Sequence, residues 1–355
     1  MLRRRRCRGT TSKERRVSDT TEPTILARRE GAAGTLLMNR PKTLNALDLE
    51  MIRGFQAAID AWKGDAAVRL VVLEGAGGKA FCAGGDVRRI RQLAIDGDSA
   101  AIEAFFAEEY AVNRGIATFG KPWVSLIDGV CMGGGIGVSV HGKPIVVSES
   151  ALLAMPETAI ALFPDVGTSY ILPRLPGAVG TWLALTGARL RGADAVHAGL
   201  ATHYVPKAKL PALREALLGG DAAVVERFAE AAPAPGFAPH RAAIDRCFGR
   251  DSIPAILATL EAEDTDWARE QVAILRRMSP TSLCVSLELI RRGAGASLDE
   301  CLEMELALTR SVVNRHPDFR EGVRSVLVDK DGKPSWSPAR VEAVDPAAIR
   351  ALFAG

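Results

Sequence analysis

The stretch KPWVSLIDGVCMGGGIGVSVHGKPIVVS, residues 121–148, carries strand, glycine-rich turn, helix opening and second strand in one sweep. Residues 121–129 are a short apolar run of buried-strand length, and they empty into Gly133, Gly134 and Gly135. Glycine has no Cβ to shield its N–H. A helix that opens on such residues presents bare donors that stabilise negative charge.

The same grammar extends in both directions. Residues 24–30 and 34–40 flank a Gly/Ala turn and predict a hairpin. Ile52, Phe55, Ile59 and Trp62 fall at steps of three and four, one helical stripe. VRLVVLEG (residues 68–75) reads as a strand and runs into the glycine-rich, loop-like AGGKAFCAGGD (residues 76–86). A helical stretch with Ile102, Phe105, Phe106, Val112 and Ile116 follows, and PIVVS and ALLAM repeat the strand signal. This alternation, through about residue 205, predicts an α/β layer architecture. AAPAPGFAPH (residues 231–240) reads as a linker, after which strand signals vanish. Ser279 before Pro280 marks a helix start, and SLDE (residues 297–300) is a capping-box pattern. It opens a helix with Cys301, Met304, Leu308 and Val312 on one face. The expected organisation is a basic, disordered extension over residues 1–22, a core over 23–230 that holds the site, and a helical region over 231–355.

Composition narrows the function. With 48% hydrophobic and 25% charged residues, the 355-residue chain can bury a sizeable core. A net charge of +3 and 5% aromatics argue against a nucleic-acid partner. No apolar run is long enough for a membrane span. Six cysteines without a C-x-x-C pair, and five histidines without metal-ligand spacing, predict neither disulfides nor a metal site. The start, MLRRRRCRGTTSKERRVSDTTEP, has no apolar centre for a secretory signal, and its acids weigh against a mitochondrial presequence. A bacterial cytoplasmic location is expected ahead of the mitochondrial matrix.

Chemistry concentrates in residues 133–167. Taken alone, FCAGGD (residues 81–86) is a plain strand-to-helix turn. Two such loops in one domain can converge their N–H groups on one oxygen, the arrangement of an oxyanion hole. Glu157, in AMPETAI, and Asp165, in LFPDVG, each follow a proline among apolar residues. One straight helix would separate their Cα atoms by about 12 Å, but Pro164 ends any helix before Asp165. The turn can bring both carboxylates to one pocket wall. Burial would raise the pKa of Glu157 and suit it to acid–base or nucleophilic work. Helix capping is the competing role for both acids. The glycines match G-x-G-x-x-G only loosely. GVSVH, with His141 in place of the second glycine, lacks the sharp turn of a serine hydrolase.

At these residues the chain resembles the enoyl-CoA hydratase/isomerase (crotonase) superfamily, whose two glycine loops match FCAGGD and GVCMGGGIG. Within it, NRPKTLNAL, AMPETAIALFPDVG, LPRLPG, LTGARL, GLATHYV, MSPTSL and FREGVRSVLVDKDGKP are similar to the 3-hydroxyisobutyryl-CoA hydrolase branch, over roughly residues 24–345. The resemblance implies a crotonase (ClpP-like) spiral of ββα units with an all-helical C-terminal region. It implies that the N–H groups of Gly85 and Gly134 hold a thioester carbonyl oxygen, that Glu157 is nucleophile or general base, and that Asp165 orients substrate or water. By the same carry-over Glu109 lines the acyl pocket, against a reading as a solvated helix acid. Hydratases of the superfamily place a first glutamate where this chain has Gly137. The implied activity is therefore hydrolysis of an acyl-CoA thioester, with coenzyme A entering only as part of the substrate and no metal or other cofactor. Hydratase or isomerase activity is the second reading, and a catalytically dead acyl-CoA-binding protein the third. The resemblance also implies a homo-oligomer, trimer-based or smaller.

Overall fold

Runs of Val, Ile and Leu without polar alternation are material for strands covered on both faces, and here they build two sheets. The computed structural model describes residues 22–353; the basic extension, but for its last residue, lies outside them. Among the described residues the strands are β1 (Ile25–Glu30), β2 (Ala33–Met38), β3 (Leu70–Gly75), β4 (Ala80–Cys82), β5 (Trp123–Ile127), β6 (Val130–Met132), β7 (Ile145–Val147), β8 (Leu152–Ala154), β9 (Leu190–Arg191) and β10 (His203–Tyr204). The larger sheet has the order β1-β2-β3-β5-β7-β10 and the smaller β4-β6-β8-β9.

Each of the pairs β3/β4, β5/β6 and β7/β8 sends one strand to the large sheet and the next to the small one before a helical segment follows. That repeat is the ββα spiral. The stretch 76–86 is accordingly not all loop: β4 lies within it and pairs in parallel with β6. Along the large sheet the side chains alternate. Leu70, Val72, Val124, Leu126 and Val146 pack against Leu213 and Leu217, while Val71, Leu73, Trp123, Ile127 and Val147 join the main core.

Beyond β10 the regular elements are helical. The hydroxyl of Ser279 caps Pro280–Gly293, and Ser297 with Glu300 forms both arms of the capping box that opens Leu298–Val312. That helix packs along Ser99–Ala117 of the core. Its buried face departs from the expected stripe at one step. Cys301, Leu308 and Val312 are buried, but Met304 is only half-buried and the inward step belongs to Glu305, which is 0% exposed.

Candidate active site

Three neighbouring strands of the small sheet deliver the site. β4, β6 and β8 run parallel, with Cys82 opposite Cys131 and Met132 opposite Ala154, so their C-terminal ends lie side by side. Beyond those ends come Gly84–Gly85, Gly133–Gly134 and Glu157, respectively. Carboxyl ends of parallel strands are where open α/β sheets place ligands. The result is a cavity of about 290 Å³ lined by both glycine loops, Glu109, Glu157, Asp165, Phe105, Phe106, Val326 and Leu327.

The two glycine loops touch. A Cβ on Gly134 would stand 3.3 Å from the Gly85 nitrogen and would collide with the Glu109 carboxylate. Gly84 and Gly133 have φ of 98° and 47°, open to glycine and strained for other residues. Gly134 is the first residue of the helix Gly134–Val140, so its N–H has no partner within that helix. Among the described residues, neither the Gly85 nor the Gly134 N–H donates a hydrogen bond outside regular secondary structure.

The acids stand around these donors. Glu157 is 6% exposed at the start of the short helix Glu157–Ile160, and a Cβ on Gly133 would be 2.8 Å from its Oε1. Its Oε2 is buried without a partner. Burial, and then the nearby Asp165 carboxylate, push its pKa well above the ordinary range. Asp165 is buried too. It accepts a hydrogen bond from the Tyr110 hydroxyl at 2.8 Å, and burial lifts its pKa to about 6 against the opposing pull of that bond. Its side chain caps no helix and lines the cavity. Glu109 is buried rather than solvated, with Oε1 unpartnered and its pKa raised by burial, then by Asp165 and Glu305.

The structure therefore brings together every residue singled out in the sequence: Gly85, Glu109, Gly134, Glu157 and Asp165. It also settles two side readings. Ser139 is buried, and its hydroxyl donates to the carbonyls of Gly135 and Ile136 within its own helix. His141 holds the Val166 carbonyl at 2.7 Å through Nε2, and burial lowers its pKa to about 4. Gly137 has no room for an acid, because a Cβ there would lie 2.6 Å from Val166 Cβ.

Sequence reasoning missed three contributors. Nothing local marks the Tyr110 hydroxyl as the Asp165 donor. Glu305 left one trace, an acid at the inward step between Cys301 and Leu308. The third is the wide helical turn Arg324–Val328, which presents Val326 and Leu327 to the cavity. Arg324 braces it through Glu321, Asp329 and Asp331, and Arg88 reaches across from the core to the Leu327 carbonyl at 2.6 Å.

The Tyr110–Asp165 bond gives a pH prediction. If turnover needs Asp165 ionised as well as Glu157, protonation of Asp165 adds its own fall in kcat/KM as pH drops through about 6. A hydrogen bond to the charged form favours ionisation. Tyr110→Phe removes it, raises the Asp165 pKa and should move the acid limb to higher pH. A kcat/KM profile between pH 4.5 and 9 with an unmoved limb would detach Asp165 from the rate-controlling ionisation.

Known proteins resemble the chain over most of its length. Residues 33–353 match the profile of the enoyl-CoA hydratase/isomerase family. The chain is 43% identical over 351 residues to the rat protein named 3-hydroxyisobutyryl-CoA hydrolase, mitochondrial, covering 95% of this chain and 91% of the relative. Two solved structures superpose with a TM-score of 0.89. One is titled a carnitinyl-CoA dehydratase from Mycobacterium thermoresistibile, at 40% identity and covering 94% of this chain and 97% of that one. The other is titled an enoyl-CoA hydratase from Rhodobacter sphaeroides, at 41% identity with 93% and 97% covered.

Proposed function

The chain belongs to the enoyl-CoA hydratase/isomerase family, and on that premise we propose that it hydrolyses the thioester of 3-hydroxyisobutyryl-CoA, or a close short 3-hydroxyacyl-CoA, to the free acid and CoA. The named relative is a hydrolase while the two solved structures carry dehydratase and hydratase titles. The observation that carries the hydrolase reading is the crowding at Gly137: the family resemblance puts a hydratase's first glutamate there, and Val166 fills the space beside it.

The thioester carbonyl oxygen sits between the N–H groups of Gly85 and Gly134, which stabilise the negative charge that develops on attack. Glu157 faces the same carbon. A desolvated carboxylate is a stronger base and nucleophile than one in water, and two balanced routes follow. Glu157 can take a proton from a water whose oxygen attacks the carbonyl. It can instead attack directly, forming an acyl–Glu157 anhydride that water then opens. In both the C–S bond breaks, CoA leaves as thiolate and takes up a proton, and the acid product leaves. Carriage of ¹⁸O from labelled water into the Glu157 side chain marks the second route. Asp165, oriented by Tyr110, accepts from the 3-hydroxyl or the attacking water, and Glu109 borders the acyl arm. Phe105, Phe106, Val326 and Leu327 keep that arm dry, and the cavity volume suits a short one. Valine breakdown produces such a substrate, so we place the enzyme there.

The reaction as drawn uses no metal or redox cofactor. Among the described residues no cluster of His, Cys, Asp and Glu is arranged to hold a metal ion, and no helix is long and apolar enough to cross a membrane. We read the enzyme as cytoplasmic; the rat relative is named mitochondrial, and fractionation of the full-length chain separates the two compartments. A homo-oligomer, trimer-based or smaller, is tested by light scattering.

Thiol release from a panel of acyl-CoA thioesters tests the whole reading. We expect turnover of 3-hydroxyisobutyryl-CoA, undiminished by a chelator, and no hydration of crotonyl-CoA. Hydration of crotonyl-CoA without thiol release would replace the hydrolase by a hydratase. Binding without either reaction would leave an acyl-CoA-binding protein.

A further inference from the structure

We propose that Glu305 is a positioning residue for this hydrolysis: from the C-terminal helical region it holds the loop 164–169 in the shape that aims Asp165 into the pocket. The inference rests on the reading of the site given above and adds a residue that does not line the cavity.

The loop has an unfavourable backbone. Val166 and Gly167 have φ of 53° and 76° in succession. A β-branched residue enters the left-handed region only where its surroundings impose it, and such positions cluster at functional sites. The surroundings here are specific. Oε2 of Glu305 accepts from the Gly167 N–H at 2.8 Å. Its Oε1 accepts from the Ser169 N–H at 3.3 Å and the Ser169 hydroxyl at 2.5 Å. From the other side His141 holds the Val166 carbonyl, and Thr168 donates its N–H and hydroxyl to the Asp165 carbonyl. A Cβ on Gly167 would strike both the His141 ring and Leu298, so the loop is wedged between the core and the helix Leu298–Val312.

Glu305 is costly where it stands. It takes an inward step in an otherwise apolar stripe, and burial with the Asp165 charge raises its pKa to about 8, against the pull of its donors. An apolar residue would pack there without that cost. All three donors of the carboxylate come from the Asp165 loop, so what the acid contributes is the shape of that loop. The capping box at Ser297 and Glu300 opens the helix that carries Glu305, and the packing of that helix against the core turns Glu305 toward the loop.

The test compares kcat, KM and Tm for the wild type, Asp165→Asn, Glu305→Gln, the double variant, Ser169→Ala and Leu302→Ala. Glutamine sets an N–H₂ against a backbone N–H and loosens the loop without changing volume. We expect Glu305→Gln to lower kcat by about tenfold or more with KM within about threefold. Residues that act through one group are not additive, so the double variant should be no slower than Asp165→Asn alone. Ser169→Ala, which removes one donor, should lose less. Leu302→Ala, a core truncation on the same helix, should lower Tm and leave kcat near wild type. The proposal is overturned if Glu305→Gln keeps wild-type kcat, or if its loss multiplies onto that of Asp165→Asn. Should Glu305→Gln fail to fold, Ser169→Ala and its double variant carry the same two criteria. If Asp165→Asn loses turnover and Glu305→Gln alone does not, this inference fails alone. If Asp165→Asn turns over as wild type, the site reading fails and takes this inference with it.

Discussion

Glu157→Gln should lower kcat by about three orders of magnitude or more while changing KM by less than about threefold. The side chain borders the cavity between the two glycine loops, and its Oε2 has no protein partner to satisfy. Glutamine has nearly the same shape but can neither take a proton nor form an anhydride, so binding survives and chemistry does not. The residual rate should reflect the Gly85 and Gly134 donors alone. Single-turnover thiol release measures it, and a loss smaller than about tenfold would assign the bond-breaking to another acid of the cluster.

The same substitution should alter stability in the opposite direction. Burial raises the pKa of Glu157 in the folded state above its unfolded value. The folded protein therefore binds the proton more tightly, and stability falls as pH rises through the folded pKa. Glutamine has no such ionisation. The Tm advantage of the variant over the wild type should widen as pH increases from 5 to 9. A cavity that gathers the buried carboxyl groups of Glu109, Glu157 and Asp165 gives up stability to hold them.

Gly137→Glu, the change that would restore a hydratase's first acid, should instead cost most of the fold's stability. A Cβ there would meet Val166 Cβ at 2.6 Å, its Cγ2 at 2.9 Å and Asn113 Nδ2 at 3.0 Å. Val166 cannot give way easily, because its carbonyl is held by His141 and its neighbour Gly167 by Glu305. Overpacking by one methyl group costs about 1–3 kcal/mol, so Gly137→Ala already tests the site. Glutamate adds an unpaired buried charge near Asp165, which brings the loss toward the whole of a typical 5–15 kcal/mol. Thermal melts of both variants, with a hydration assay on whatever folds, measure this. A folded Gly137→Glu protein that hydrates crotonyl-CoA would show that Val166 yields and that the absence of one acid alone decides the reaction.

These expectations differ in how far the sequence alone supports them. The glycine runs at 84–85 and 133–135, Pro164, the caps at Ser279 and Ser297, and the apolar stripe from Ile52 to Trp62 are local signals. Each is a preference of a few consecutive residues for one backbone shape, and the structure realises it in place. The pairing of β4 with β6 was less visible, because a three-residue strand inside a glycine-rich stretch has too little pattern to declare itself.

The sequence by itself determined the α/β body, the two donor loops and the two acids after proline, since turn chemistry and hydrophobic period act between near neighbours. Only the tertiary structure decided that Glu109 is buried, that Tyr110 donates to Asp165, and that Val326 and Leu327 close the pocket. It alone turned Glu305 from a helix acid into a brace on Gly167, 138 residues away in the chain. A carboxylate's local preference is the same on either face of a helix. Which face meets water, and which meets a loop with unpaired donors, is set by the packing of distant segments.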